Sequence, residues 1–153
     1  GLDPAPFKVV VTIVGDDKKP KDWVYLIGNK VDDKDTRYAK QGDKDSQYDL
    51  GMKLKKGDGV PRSLSESAQW FAQSAQQGQM AAQFELAQMY AKGEGLKRDV
   101  VLAYAWYNVA IMNGHYPAGK PRDVLAKIMN ADEIAEAEQL SSMWKFGLPI
   151  ERQ

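Results

Sequence analysis

His115 is the only histidine in this chain, and there is no cysteine. Nucleophilic catalysis of the triad kind requires a serine or cysteine, a base within hydrogen-bond reach and a third group that orients the base. No G-x-S-x-G elbow is present, and one imidazole on a connector is a poor start for general-base work. His115 therefore reads as a loop or surface histidine. The carboxylates Asp32, Asp33, Asp35, Asp43 and Asp45 cluster in sequence, but they lack the turn glycine and closing bidentate acid of a calcium loop, so they read as a solvated linker. Without cysteine there are neither disulfides nor thiolate metal sites. No catalytic, metal-binding or cofactor-binding residue is assigned, and the chain is expected not to be an enzyme.

Charge narrows the partners. The chain has 21 basic and 21 acidic residues, formally neutral, which leaves no global electrostatic case for nucleic acid. Lys53, Lys55 and Lys56 form a local cluster at an expected helix end, where cations favour the helix dipole. The apolar run Val9–Val14 is interrupted by Thr12 and is far short of the roughly 18–20 residues of a membrane span. The chain opens on Gly1-Leu-Asp-Pro rather than Met, the look of a cut or processed product whose targeting signal has been lost. At 153 residues it is one domain.

What organises it is a repeat. Tyr48-Asp-Leu-Gly-Met-Lys-Leu-Lys-Lys-Gly-Asp-Gly-Val60 returns 36 residues later as Phe84-Glu-Leu-Ala-Gln-Met-Tyr-Ala-Lys-Gly-Glu-Gly-Leu96. The register carries on through Ser63/Asp99, Trp70/Trp106, Phe71/Tyr107 and Gly78/Gly114. A fixed period of this size with helical patterning marks a stacked helical array. Leu50, Gly51 and Leu54 share one helical face, as do Leu86, Ala87 and Tyr90, and the small residue lets a partner helix come close. Gly57/Gly59 and Gly93/Gly95 can end the first helix with positive φ. Ser63 and Asp99 are good N-caps for the second helix, and Ser63 with Glu66 spells a capping box.

These residues resemble the Sel-one-like repeat (SLR) family, a relative of the tetratricopeptide repeat. The first copy supplies Ser46, Leu50, Gly51, Leu54, Gly57, Gly59, Val60, Ser67, Trp70, Phe71, Ser74 and Gly78. The second supplies Ala82, Leu86, Ala87, Tyr90, Gly93, Gly95, Leu96, Ala103, Trp106, Tyr107, Ala110 and Gly114. The resemblance implies a mainly α fold, an α/α solenoid of helix–turn–helix repeats. Some relatives pin each helix pair with a disulfide; this chain, lacking cysteine, departs from that version.

The expected organisation is an N-terminal extension over 1–35, then a helical array over 36–146. The array divides into a degenerate leading repeat at 36–42, where Tyr38–Gly42 echoes Ser74–Gly78, repeats at 43–78 and 79–114, and C-terminal capping helices at 122–146; a tail follows at 147–153. Tyr116–Pro121 reads as a turn-rich connector, Arg122–Met129 as a helix, and Asn130-Ala-Asp-Glu133 as the start of a last helix running to about Phe146 with an Ile134, Ala137 and Leu140 stripe. In the extension, Phe7–Val14 is rich in β-branched residues and Asp22–Ile27 is a second apolar run, which together suggest a short β-hairpin. The second run could equally begin a helix.

Trp70, Phe71, Trp106 and Tyr107 fall at repeat-equivalent sites and read as packing residues. Trp144 is expected to pack with the last helix, whereas Trp23 could bind either the array or a partner. Opposite the Leu50/Leu54 face lie Asp45, Tyr48, Asp49, Met52 and Lys56, and in the next repeat Ala81, Phe84, Glu85, Gln88 and Lys92. The resemblance places these helices on the inner side of the superhelix, so the partner-binding candidates are Tyr48, Asp49, Met52, Lys56, Phe84, Glu85, Gln88 and Lys92, together with Trp23. Tyr48 and Phe84 read equally well as packing residues, and Met52 as filler.

Solenoids present extended surfaces rather than enclosed pockets, so the expected function is binding another protein. What the resemblance implies further is a bacterial periplasmic or envelope inhibitor or adaptor, such as an immunity protein neutralising a secreted toxin or effector, with a cytoplasmic location also open. The competing readings are a weak hydrolase or ligand-binding protein centred on His115, and a self-associating structural scaffold pairing through the edges of the extension.

Overall fold

A computed structural model describes residues 42–150 and Arg152, with the backbone of two short strands, β1 (Val10–Val11) and β2 (Val24–Tyr25). The strands pair antiparallel, Val10 opposite Tyr25 and Val11 opposite Val24. The rest of the hairpin expected over 1–35, Trp23 included, and residues 36–41 of the leading repeat lie outside the described residues.

Among the described residues six α-helices follow: α1 (Lys44–Lys56), α2 (Leu64–Gln76), α3 (Met80–Lys92), α4 (Val100–Met112), α5 (Gly119–Ala126) and α6 (Ala131–Met143). Helix α1 packs on α2, α3 on α4, α2 on α3 across the repeat boundary, and α4 on both α5 and α6. Each element contacts mainly its neighbours in the stack, the quasi-one-dimensional arrangement of a solenoid.

The local chemistry explains where the helices begin and end. Asp43, Ser63, Gln79, Asp99 and Asn130 each turn a side-chain oxygen onto a backbone N–H of the first turn, satisfying donors that the helix leaves unpaired. Ser63 accepts from the N–H of Glu66 at 3.3 Å, but only at Asn130–Glu133 are both halves of a capping box made, each at 2.9 Å. Helices α1 and α3 end on Gly57 (φ 75°) and Gly93 (φ 74°), whose N–H groups return to Lys53 O and Met89 O, both at 2.8 Å. Arg62 and Arg98 then donate through Nε to Lys55 O and Ala91 O, both at 3.0 Å, covering one more carbonyl of each helix end.

Phe71, Leu86, Met89, Val101, Trp106 and Val109 form the centre of the core, each essentially without solvent contact, and burying side chains of this size contributes about 1.5–3 kcal/mol apiece. Leu50 and Leu54 form a smaller cluster with Val60 and Trp70, so Trp70 is half-buried where its repeat mate Trp106 is sealed in. The Phe71 ring lies against Gly51, and a Cβ there would come within 2.7 Å of it.

The two helix pairs are joined differently. In the first, Ser67 Oγ donates to Gly51 O at 2.8 Å and Ser74 Oγ to Lys44 O at 2.6 Å; in the second, the equivalent Ala103 and Ala110 pack without hydrogen bonds from their side chains. An amide pair with one buried member recurs in both. Gln77 Nε2 donates to Gln47 Oε1 at 2.8 Å, and Asn113 Nδ2 donates to Gln83 Oε1 at 2.9 Å.

The C-terminal part departs from the expected boundaries. The connector at Tyr116–Pro121 is a 3-10 turn (Tyr116–Ala118) running directly into α5, which starts at Gly119 rather than at Arg122. Pro121 sits in the first turn of α5, where a helix has no use for its missing N–H. Helix α6 stops at Met143 instead of continuing to Phe146, because Trp144 takes an extended conformation (ψ 132°) and Gly147 a positive φ of 85°. Trp144 still packs on the core, with its indole N–H buried and unpaired.

Candidate interaction surface

Helices α1 and α3 are bridged by the Lys55 and Glu85 side chains, and their aromatic residues repeat a single arrangement. The Tyr48 ring meets Phe71 with centroids 5.8 Å apart, and Phe84 meets Tyr107 at 5.9 Å, both tilted. Geometry of this kind contributes roughly 0.5–1.5 kcal/mol beyond area burial. Tyr48 and Phe84 are thus partly committed to the core and only half exposed. Met52 also packs on the core, and with Gln88 it is half-buried; Asp49, Lys56 and Lys92 are exposed. The surface has a semi-apolar floor with a charged rim of both signs.

Two features add to this stripe. Glu85 and Lys55 form an ion pair at 2.6 Å between α3 and α1, with side chains only 15% and 23% exposed. His115, on the turn after α4, packs at a tilt against Phe84 with centroids 4.8 Å apart, extending the floor to the end of α4. Burial, then the Glu85 charge, pushes the Tyr107 phenol up to about 12. Burial, then Glu85 and Asp49, raises that of Tyr48 as well. Both phenols therefore remain neutral hydrogen-bonding groups through the physiological range.

The arrangement suits recognition. Among the described residues, no group of three or more His, Cys, Asp or Glu side chains could hold a metal ion, and no helix is long and apolar enough to cross a membrane. Lys55, Tyr107 and His115 are not among the partner-binding candidates that the sequence offers. Lys55 is one position off the expected stripe, and the other two enter from the second helix of the pair and from the turn after it. The buried amides Gln47 and Gln83 were legible in principle, since they share the 36-residue register.

A stack of helix pairs, followed by the shorter helix α5 and the full-length α6 and bearing a row of half-buried aromatics, defines a helical-repeat scaffold. Residues 44–79 and 81–115 match the Sel1 repeat, and the chain belongs to the Sel1-repeat (SLR) proteins. Its fold is similar to that of a protective antigen of uropathogenic Escherichia coli strains, an SLR protein, at a TM-score of 0.69 and 34% identity over 72% of this chain and 24% of that one. A Sel1 repeat protein from Oxalobacter formigenes superimposes at a TM-score of 0.55 and 34% identity, over 56% of this chain and 65% of that one. The chain thus spans about a quarter of the first relative's length and just under two thirds of the second's. No curated protein matches it in sequence. Sel1-repeat proteins are in general protein-interaction modules, typically without catalytic activity.

Proposed function

We propose that this chain binds a partner protein on the face formed by α1 and α3, and that it serves a bacterium as an envelope inhibitor or adaptor, in the manner of an immunity protein that neutralises a secreted toxin. The observation that carries the binding reading is the half-buried row Tyr48, Met52, Phe84 and Gln88, held in place by the aromatic pairs beneath it and by the Lys55–Glu85 bridge. Such residues have already lost their rotamer freedom, so docking onto them costs little further ordering. Exposed Asp49, Lys56 and Lys92 supply a polar rim around this apolar strip, the anatomy of an interface. Both solved relatives come from bacteria, and one is a protective antigen, which favours the envelope.

The test is affinity capture from envelope and secreted fractions of a bacterial source, with the unmodified chain beside a Met52→Glu/Gln88→Lys variant whose helical circular dichroism is unchanged. A stoichiometric protein retained by the unmodified chain alone supports the reading, and a toxin among such proteins supports the immunity role. Equal retention by both chains, or by neither, overturns the assignment of this face.

A further inference from the structure

After α6 the chain turns back on itself. Leu148 N–H returns to Lys145 O at 3.0 Å, and Gly147 takes the positive φ of 85° that this turn requires. The segment that follows is pegged at three points. Gly147 N–H donates to Gln76 O, in the last turn of α2, at 2.6 Å. Ile150 is sunk into the main core with 7% of its surface exposed. Arg152 forks onto Glu136 of α6, Nε to Oε1 at 2.7 Å and Nη2 to Oε2 at 2.9 Å, and its Nη1 reaches Asp99 Oδ2 at 3.1 Å. Asp99 is the N-cap of α4 and keeps its other oxygen on Val101 N–H and Leu102 N–H. The tail's partners therefore come from three helices that are second members of their pairs or close the stack, on a different set of elements from the α1/α3 face.

Between the pegs little is engaged: Leu148 is 54% exposed and Pro149 is exposed as well. Phe146, just before the first peg, sets its ring against Gly78. One main-chain hydrogen bond, one aliphatic plug and one cation held between two carboxylates is how a scaffold holds an extended peptide.

From this we infer that the seat of the tail is a peptide-binding cleft whose resident ligand is the chain's own C-terminal segment. Its partner is an extended segment of another protein carrying an aliphatic residue two positions before an arginine. The cleft's chemistry selects those two anchors: an apolar slot for the first, and Glu136 with Asp99 for the second. The carboxylates are partly exposed, at 40% and 22%, and pairs of that kind exchange readily with water and with competing cations. The tail's advantage is its tethering, equivalent to an effective concentration of about a millimolar. A second copy's tail carries identical anchors and gains nothing over the resident one. A foreign segment gains by engaging more of the surface at the exposed positions Leu148 and Pro149.

The experiment uses the full chain carrying Ile150→Asp/Arg152→Glu, which unseats the tail, and a fluorescently labelled peptide of sequence Gly-Leu-Pro-Ile-Glu-Arg-Gln read by anisotropy. Saturable binding to this variant is expected, at least tenfold tighter than to the unmodified chain. It is expected to fall at least tenfold when the peptide's arginine is replaced by glutamate, or when Glu136→Lys is added to the protein. No binding by a variant with intact helical circular dichroism overturns the proposal, as does equal binding of the glutamate peptide. A variant that loses its helical signal overturns it too, by showing that the tail is an inseparable part of the core. Arg152→Ala, which leaves Ile150 in place, gives the second readout: peptide binding intermediate between the other two chains supports displacement, and binding no stronger than to the unmodified chain opposes it. A dimeric mass for the unmodified chain that vanishes in the double variant identifies exchange between copies and overturns the choice of a foreign segment.

Discussion

Asn113 reaches back from the end of α4 to give its amide N–H to Gln83 Oε1 at 2.9 Å, while Gln83 spends its own Nε2 on Ala75 O, across the repeat boundary, at 3.0 Å. Gln83 has no solvent contact. One buried amide thus ties three successive helices together, α2 through Ala75, α3 through Gln83 itself and the end of α4 through Asn113.

Replacing Gln83 with leucine keeps the volume and removes both bonds, and it is expected to destabilise the fold by about 1–3 kcal/mol. Asn113→Ala leaves the Gln83 oxygen buried without that donor and should cost about 1 kcal/mol. The double substitution should cost less than the sum, because each removes the other's partner. Urea unfolding of the four proteins checks this, and strict additivity would show that the bond is energetically idle.

Gly51 and Ala87 occupy equivalent positions on α1 and α3, yet their substitutions should behave differently. Glycine to alanine inside a helix ordinarily stabilises by about 1 kcal/mol. At Gly51 the new methyl would lie 2.7 Å from the Phe71 ring, which is itself fully buried, so Gly51→Ala is expected to destabilise by about 1–3 kcal/mol through overpacking. Ala87→Gly loses helix propensity and a small buried methyl and should cost about 1 kcal/mol. Thermal melts of both variants decide the matter, and a higher midpoint for Gly51→Ala would contradict the packing described.

Gly95 and Gly114 both have positive φ, 76° and 100°, but their surroundings differ. A Cβ on Gly95 would run into the carbonyl of Leu64 and approach Ser65 N to 2.9 Å, whereas Gly114 faces open space. Gly114→Ala should cost about 1–2 kcal/mol, the backbone penalty alone. Gly95→Ala should cost clearly more, since the turn between α3 and α4 must lift off the start of α2. Denaturation midpoints in that order are the expected result.

The Tyr107 phenol supplies a pH prediction. With its pKa raised from the ordinary 10.0 to about 12, the folded state holds its proton more tightly than the unfolded one. The stability linked to this group is complete below about pH 10 and is lost as pH rises from there towards 12. Glu85→Gln removes the lesser cause and leaves burial, so the Tyr107 transition should move down without reaching the ordinary value, and that of Tyr48 should move down with it. Phenolate absorbance followed against pH measures both; an unmoved Tyr107 transition would remove Glu85 from its surroundings.

Much of the array was legible because its signals are local and repeated. Glycines at 57 and 93 and caps at 63 and 99 set the helix ends within a few residues of themselves, and copying them 36 residues apart makes each copy a check on the other. The C-terminal part carries no second copy. Nothing near Gly119 announces a helix that admits Pro121 in its first turn, and the partners of Ile150 and Arg152 are distant in the chain. Of the partner-binding candidates, Tyr48, Met52, Phe84 and Gln88 are half-buried and Asp49, Lys56 and Lys92 exposed, a division that helical periodicity alone cannot draw, since it locates a face without saying how deeply the neighbouring helix covers it.

The turn at Lys145–Leu148 and the anchors beyond it span from the last turn of α2 to the first of α4, so the closure of this protein gauges the spacing of its last two helix pairs and takes no account of how many precede them. Duplication of a repeat upstream of α2 would lengthen the molecule without disturbing that closure. Duplication between α4 and α6 would pull Glu136 away from Asp99 and leave Arg152 with one carboxylate instead of two. The contacts after α6 therefore tolerate added repeats before α2 and resist them between α4 and α6.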